Sequence, residues 1–210
     1  MKILVVAATE FEIAPFIKEN KSIEILITGV GIPSTLFNLT KKVMSNSYDF
    51  VIQAGIAGAF KNRFQRSTVV LVSQDTFGDI GIDENKTFST LFETGLANVN
   101  ALPYSDGWLL NRNSFLSPVA LPVAKGITVN MVTDNRERIH MIEEKFNPDI
   151  ESMEGAAFHY VCLQEKVNFL QLRSISNDVG ERDKTKWEMK KAITNLNIEL
   201  KKLVQNLIKI

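Results

Sequence analysis

The chain has 210 residues, 45% hydrophobic and 23% charged, enough apolar material for one sizeable core and ordinary for a globular protein. Acidic and basic residues balance at 24 each, so no net field recruits nucleic acid or an anionic membrane surface. The single Cys162 excludes an intramolecular disulfide and a zinc site built from several thiolates.

Residues 2–8 form a continuous apolar run with β-branched members, which predicts a buried central strand. The run ends in Thr9-Glu-Phe-Glu12 without a small-residue cleavage site, and no apolar stretch reaches the length of a membrane span, so a cytoplasmic protein is expected. Residues 10–18 read as a helix and 23–28 as a second strand ending in the turn Gly29-Val-Gly31. Pro33 marks a helix start, and 35–44 carry helical spacing. Residues 50–53 read as a short strand broken by Gly55-Ile-Ala-Gly58, with further strands at 67–73 and 127–133. Residues 136–145 and 154–165 read as helices, with a strand at 168–175 between the second helix and the Asn177 turn. In the last segment Met189, Ile193, Leu196, Leu200, Leu203, Val204 and Leu207 recur at helical spacing, a core-facing stripe. Residues 75–122 are rich in Asn, Ser, Gly and Pro and lose periodicity, as functional loops do. The alternation predicts one α/β domain over 1–210, with a mixed, mostly parallel central sheet flanked by helices.

Polar groups at strand ends are the candidates for chemistry, because ligands bind at the carboxyl ends of strands in open α/β sheets. Glu12 stands just past the first strand, and it also completes a capping box with Thr9. Glu10 is equally close. Glu154 sits in the first turn of a predicted helix, where the macrodipole favours a carboxylate with or without a catalytic role, and Met153 beside it is either core or a floor for a sugar ring. Asn177 either caps its own turn or offers a donor and an acceptor to a ligand. Arg182, Asp183 and Trp187 lie in a polar loop, where a surface ion pair between the first two is the plain reading. His140 and His159 have no ligand-like spacing, so no metal is expected, and Cys162 reads as a small core residue.

Five segments in order, Thr9–Glu12, Thr28–Ser34, Gly55–Gly58, Ser152–Gly155 and Arg173–Asn177, resemble the nucleoside phosphorylase/nucleosidase superfamily along nearly the whole chain. Within it, Phe77-Gly-Asp-Ile-Gly81, Gly126–Asn130, Glu151–Gly155 and Ile175–Asn177 with Arg182, Asp183 and Trp187 are similar to the futalosine hydrolases. The resemblance implies a three-layer α/β/α nucleosidase fold, a small-molecule nucleoside substrate, no cofactor, and a homodimer or larger homo-oligomer. It implies that Glu12 activates water, that Glu154 holds the ribose hydroxyls with Met153 against the ring, and that Asn177 stabilises the departing base. Gly55, Ile56, Val132, Thr133 and Phe77 would line the site, and Arg182 and Trp187 would meet the substrate's carboxyphenyl end. The adenine-type nucleosidases carry an acid where Asn177 stands, and an uncharged amide suits a 6-oxopurine that a carboxylate would repel. Phosphorylases place an arginine near the second glycine turn, where this chain has Gln53, and hydrolysis is expected instead. An adenine-type nucleosidase, a phosphorylase and a non-catalytic nucleoside-binding protein remain the alternatives.

Overall fold

The computed structural model describes residues 1–61, 63–85, 87–113 and 120–209. The first strand, β1 (Ile3–Ala7), is buried at every position, as its unbroken apolar run requires. It lies between β2 (Glu24–Ile27) and β3 (Phe50–Ala59), parallel to both. The first half of β3 pairs with β1, and its last two residues pair antiparallel with β9 (Ile150–Ser152). Its other edge runs parallel to β10 (Phe169–Asp178). β10 continues antiparallel to β4 (Val69–Asp75), then β4 pairs with β8 (Val123–Thr128) and β8 with β9, both parallel. The sheet thus closes on itself through β3, β10, β4, β8 and β9. Ala57, Ala59, Val70, Val72, Ala124, Ile150 and Ile175 form the cluster that those five strands share. Small side chains dominate because a five-strand circuit leaves a narrow interior.

Helices α2 (Ile32–Ser45) and α4 (Gly155–Gln164) cover one face, packing Leu39, Val43, Phe158, Val161 and Cys162 on Leu4, Val6, Val51 and Phe169. Helices α1 (Glu10–Glu19) and α5 (Met189–Ile208) cover the other, with Ile13, Phe16, Leu196, Leu200 and Leu203 on Val5, Ile52, Leu170 and Leu172. Each buried Leu contributes roughly 1.5–3 kcal/mol, so docking rather than intrinsic propensity holds α5. Helix α3 (Arg136–Phe146) covers the flank of the closed circuit through Ile142 against Phe60, Ile127 and Val129. No helix among the described residues is long and apolar enough to cross a membrane.

Three expectations change. Residues 50–53 are only the start of a ten-residue strand, and Gly55 and Gly58 lie inside it rather than in a turn. Glycine is there because other groups press on the backbone: a Cβ on Gly55 would lie 2.5 Å from Arg173 Nη1. The strand expected at 127–133 ends at Thr128, where Phe77 bridges to it and the chain leaves the sheet. β9 has only three residues, too few for a readable alternation. Within the irregular 75–122 stretch, β5 (Gly81–Glu84) and β6 (Thr87–Thr90) make a separate hairpin, and β7 (Leu109–Leu110) pairs with β4. Residues 86 and 114–119 of that stretch lie outside the described residues.

Candidate active site

Helix α1 begins at Thr9, and the predicted reciprocal contact forms. Glu12 Oε2 accepts from the Thr9 backbone N–H and from its hydroxyl, both at 3.0 Å. The other oxygen, Oε1, accepts from the Ile56 backbone N–H at 3.1 Å, so one carboxylate ties the helix start to β3. Just beyond it, Ile13 departs from helical angles and Pro15 brings no N–H. The helical bond from Phe16 N–H to Glu12 C=O is replaced by a side chain of α5. Asn197 Oδ1 accepts from Phe16 N–H at 3.0 Å, while its Nδ2 donates to Glu12 O at 2.9 Å. The kink therefore has an identifiable cause, and Asn197 fixes the backbone that carries Glu12.

Glu154 reaches the same place from the start of α4. Its Oε1 accepts from the Gly31 N–H at 3.0 Å, and Gly31 adopts a positive φ of 91° that glycine supplies without strain. Between the two carboxylates lies the guanidinium of Arg173, from β10. Arg173 Nη1 is 3.5 Å from Glu154 Oε2 and donates to Ile56 O at 3.3 Å, and Nη2 donates to Gln53 Oε1 at 3.0 Å. A Cβ on Gly55 would stand 3.0 Å from Glu12 Oε1 as well as against Arg173, so this glycine makes room for the convergence. All three charged groups are buried. Burial raises the pKa of Glu12 above the ordinary carboxylate value, and the Glu154 charge adds to the rise. Arg173, the Ile56 N–H and Thr9 hold it back. A carboxylate held this way has enhanced proton affinity while it remains an acceptor, which suits a general base.

Asn177 is placed by a register shift at Ser176 that sets it opposite Gly58 on β3. Ser176 Oγ donates to Asn177 Oδ1 at 2.7 Å, and Asn177 Nδ2 donates to Asp178 O at 2.9 Å. That orients the amide and leaves one of its N–H bonds for a ligand. Met153 is half-buried directly before Glu154, and Ile56 contributes its backbone N–H and C=O. The remaining expected residues lie outside this convergence. Val132 packs with the α3 cluster, and Thr133 Oγ1 accepts from Asn135 N–H at the start of α3. Phe77 stands 6.4 Å from the Tyr160 ring. Arg182 lies over the Trp187 ring at 5.9 Å rather than pairing with Asp183, which caps the short turn at Lys184–Lys186. Glu10 is exposed, and Asp178 pairs with Arg66 at 2.6 Å.

Sequence reasoning assigned no role to Arg173. The signal was a cation within an otherwise apolar strand, a placement that occurs almost only when the charge has partners. It also qualifies the expectation that no guanidinium stands near the second glycine turn. One does, but it is committed to Gln53, Ile56 and Glu154. Beneath Glu154 a second polar network was also missed. Asp75, fully buried, accepts from Thr128 Oγ1 at 2.9 Å and from Gln171 Nε2 at 3.3 Å. Burial pushes its pKa up to about 7. A Cβ on Gly155 would lie 2.1 Å from Asp75 Oδ2, so the network sets how closely α4 approaches the sheet. His159 is buried beside it, its pKa lowered by burial to about 4, with Nδ1 bonded to Leu109 O at 2.9 Å.

Among the described residues no group of three or more His, Cys, Asp or Glu is arranged to hold a metal ion. A groove of about 1150 Å³ between the β5–β6 hairpin and α3, lined by Phe88, Arg138 and Lys145 among others, includes neither Glu12, Glu154 nor Asn177. Residues 10–209 match the family model described as the phosphorylase superfamily. The chain is 28% identical over 182 residues to a futalosine hydrolase of Thermus thermophilus, covering 85% of this chain and 80% of that one. The fold is similar to a Helicobacter pylori 5′-methylthioadenosine/S-adenosylhomocysteine nucleosidase solved with butyl-thio-DADMe-Immucillin-A, at a TM-score of 0.82, 18% identity and 98% coverage of both chains. It is also similar to the futalosine hydrolase of Helicobacter pylori, at a TM-score of 0.79, 17% identity and 98% coverage of both chains.

Proposed function

Because the chain belongs to the phosphorylase superfamily, we propose that it is a nucleoside N-glycosyl hydrolase and that its substrate is the 6-oxopurine nucleoside futalosine. The observation that carries the reading is the convergence of Glu12 and Glu154 on Arg173 beside Gly55, just past the carboxyl end of β1 and against the middle of β3 and β10. The names of the curated relatives, three futalosine hydrolases among them, support the reaction class.

In this reading Glu12 takes a proton from the attacking water as its oxygen bonds C1′ of the ribose. The C1′–N9 bond breaks with its electron pair passing to the base, through an oxocarbenium-like transition state. Oxygens of Glu154 accept from the 2′ and 3′ hydroxyls while Gly31 N–H and Arg173 fix the carboxylate, and Met153 packs against the ring. The free N–H of Asn177 donates to the base as negative charge builds on it. An amide can donate to O6 or N7 of hypoxanthine, whereas a carboxylate there would face lone pairs. Gly55, Ile56, Val132, Thr133 and Phe77 are proposed to line the ligand, and Arg182 and Trp187 to meet its carboxyphenyl end. Water rather than phosphate is the nucleophile because the guanidinium is already committed and both neighbours are carboxylates. The substrate is a small molecule, and assembly into a homodimer or larger homo-oligomer is proposed with it.

The test is base release from futalosine, aminodeoxyfutalosine, methylthioadenosine and inosine, each with and without phosphate. Phosphate-independent release of hypoxanthine from futalosine is expected. Adenine release alone overturns the substrate assignment, and a requirement for phosphate overturns hydrolysis.

A further inference from the structure

Glu151 has no place in the mechanism above, yet it stands in register with it. In the sheet Asn177 of β10 is opposite Gly58 of β3, and Gly58 is opposite Glu151 of β9. Partners in adjoining strands project to the same face, so the Asn177 amide and the Glu151 carboxyl flank one glycine about 10 Å apart at the backbone, two strand spacings. Glu151 is only 7% exposed, and among the described residues its carboxyl has no hydrogen bond and no ion pair within 4 Å. Buried carboxyls are nearly always paired, so one left open in the same row as the Asn177 amide is suited to accept from a ligand group. Three charged groups face it from their own elements: Asp79 from the loop after β4, Arg138 from α3 and Arg182 from the loop after β10. Asp79 is itself occupied, accepting from the Asn130 and Met131 N–H groups at 2.6 and 3.3 Å.

We infer that Glu151 accepts a hydrogen bond from N1–H of a 6-oxopurine whose O6 or N7 is held by Asn177, and so selects hypoxanthine over adenine. Hypoxanthine carries a proton on N1, whereas adenine presents a lone pair there, which an ionised carboxylate repels. The inference rests on reading the site as a 6-oxopurine nucleosidase. Burial, reinforced by Asp79, raises Glu151 to about 7 while Arg182 and Arg138 oppose the rise, so the acceptor form is populated from neutral pH upward.

The test uses the full chain and compares binding of hypoxanthine, 1-methylhypoxanthine and adenine by calorimetry at pH 8, in the wild type, Glu151→Ala and Glu151→Gln. In the wild type hypoxanthine should bind roughly tenfold or more tightly than its 1-methyl analogue, which has no N1 proton. Glu151→Ala should bring the two within about threefold while melting no lower than wild type, since an unpaired buried carboxyl is removed. Glu151→Gln should keep hypoxanthine and gain adenine, because an amide can accept from N1–H or donate to N1. Hypoxanthine release from futalosine by the wild type, with Glu151→Ala retaining the full wild-type preference, overturns this inference alone. Adenine release by the wild type overturns the functional reading and this inference with it.

Discussion

Replacing Asp75 with Asn should stabilise the protein above neutral pH. Asp75 is fully buried, and its folded value of about 7 stands against an ordinary 3.8. Between about pH 4 and pH 7 the folded state therefore holds a proton that the unfolded chain has released, and stability falls as pH rises through that window. A difference of about 3 units corresponds to about 4 kcal/mol once the group is ionised in both states. Total burial leaves no screening by solvent to discount. Neighbouring side chains can accept the amide. Gln171 Oε1 and His159 Nε2 are both buried without partners, and the two side chains face each other. With the Gln171 amide inverted, its oxygen accepts from the new Asn Nδ2 and its own Nε2 donates to His159 Nε2. Thr128 Oγ1 still donates to the remaining oxygen, so both unpaired atoms acquire partners. Urea unfolding from pH 5 to 8.5 should show the variant more stable at pH 8 by about 2–4 kcal/mol and near parity at pH 5. Part of the slope should survive, because Glu151 also has a folded value of about 7. A variant less stable than wild type at pH 8, or one with the wild-type pH slope, would refute the reasoning.

Four further outcomes are expected. Glu12→Gln should fold, since the amide can still accept from Ile56 N–H, but lose roughly 10²–10⁴-fold in turnover; near-native turnover removes the general-base role. Asn177→Asp should shift release away from hypoxanthine towards adenine nucleosides, and an unchanged ratio on the same substrates would count against amide-based selection. Gly55→Ala drives a methyl to within 2.5 Å of Arg173 Nη1, so a loss of about 1–3 kcal/mol in unfolding free energy and a fall in turnover are expected; wild-type behaviour in both would show the pocket to be slack. Asn197→Ala leaves Phe16 N–H and Glu12 C=O without their bridge, and should lower turnover more than it raises KM while costing about 1–3 kcal/mol; an effect on stability alone would make Asn197 merely structural.

The elements that carry their own local signal were legible in the chain. The unbroken run of β1, the Thr9–Glu12 box and the helical stripe of α5 each encode a backbone preference within a few residues, and all three formed where expected. Glu12, Glu154 and Asn177 could be singled out because strand ends and helix starts are local features too. Glycine is where local reading failed. Gly55 and Gly29 look alike in sequence, yet Gly29 turns the chain at positive φ while Gly55 lies inside a strand to admit Arg173 from 118 positions on. No pattern of a few residues distinguishes a turn from a close approach, because the second depends on a partner far along the chain. The closed circuit of strands, the three-residue β9 and the row that sets Asn177, Gly58 and Glu151 side by side are likewise products of pairing register. Register is settled by which buried surfaces fit together across the whole molecule. The sequence determined which groups could do chemistry; tertiary packing decided which of them meet, because only packing can hold Glu12, Glu154 and Arg173 together out of water.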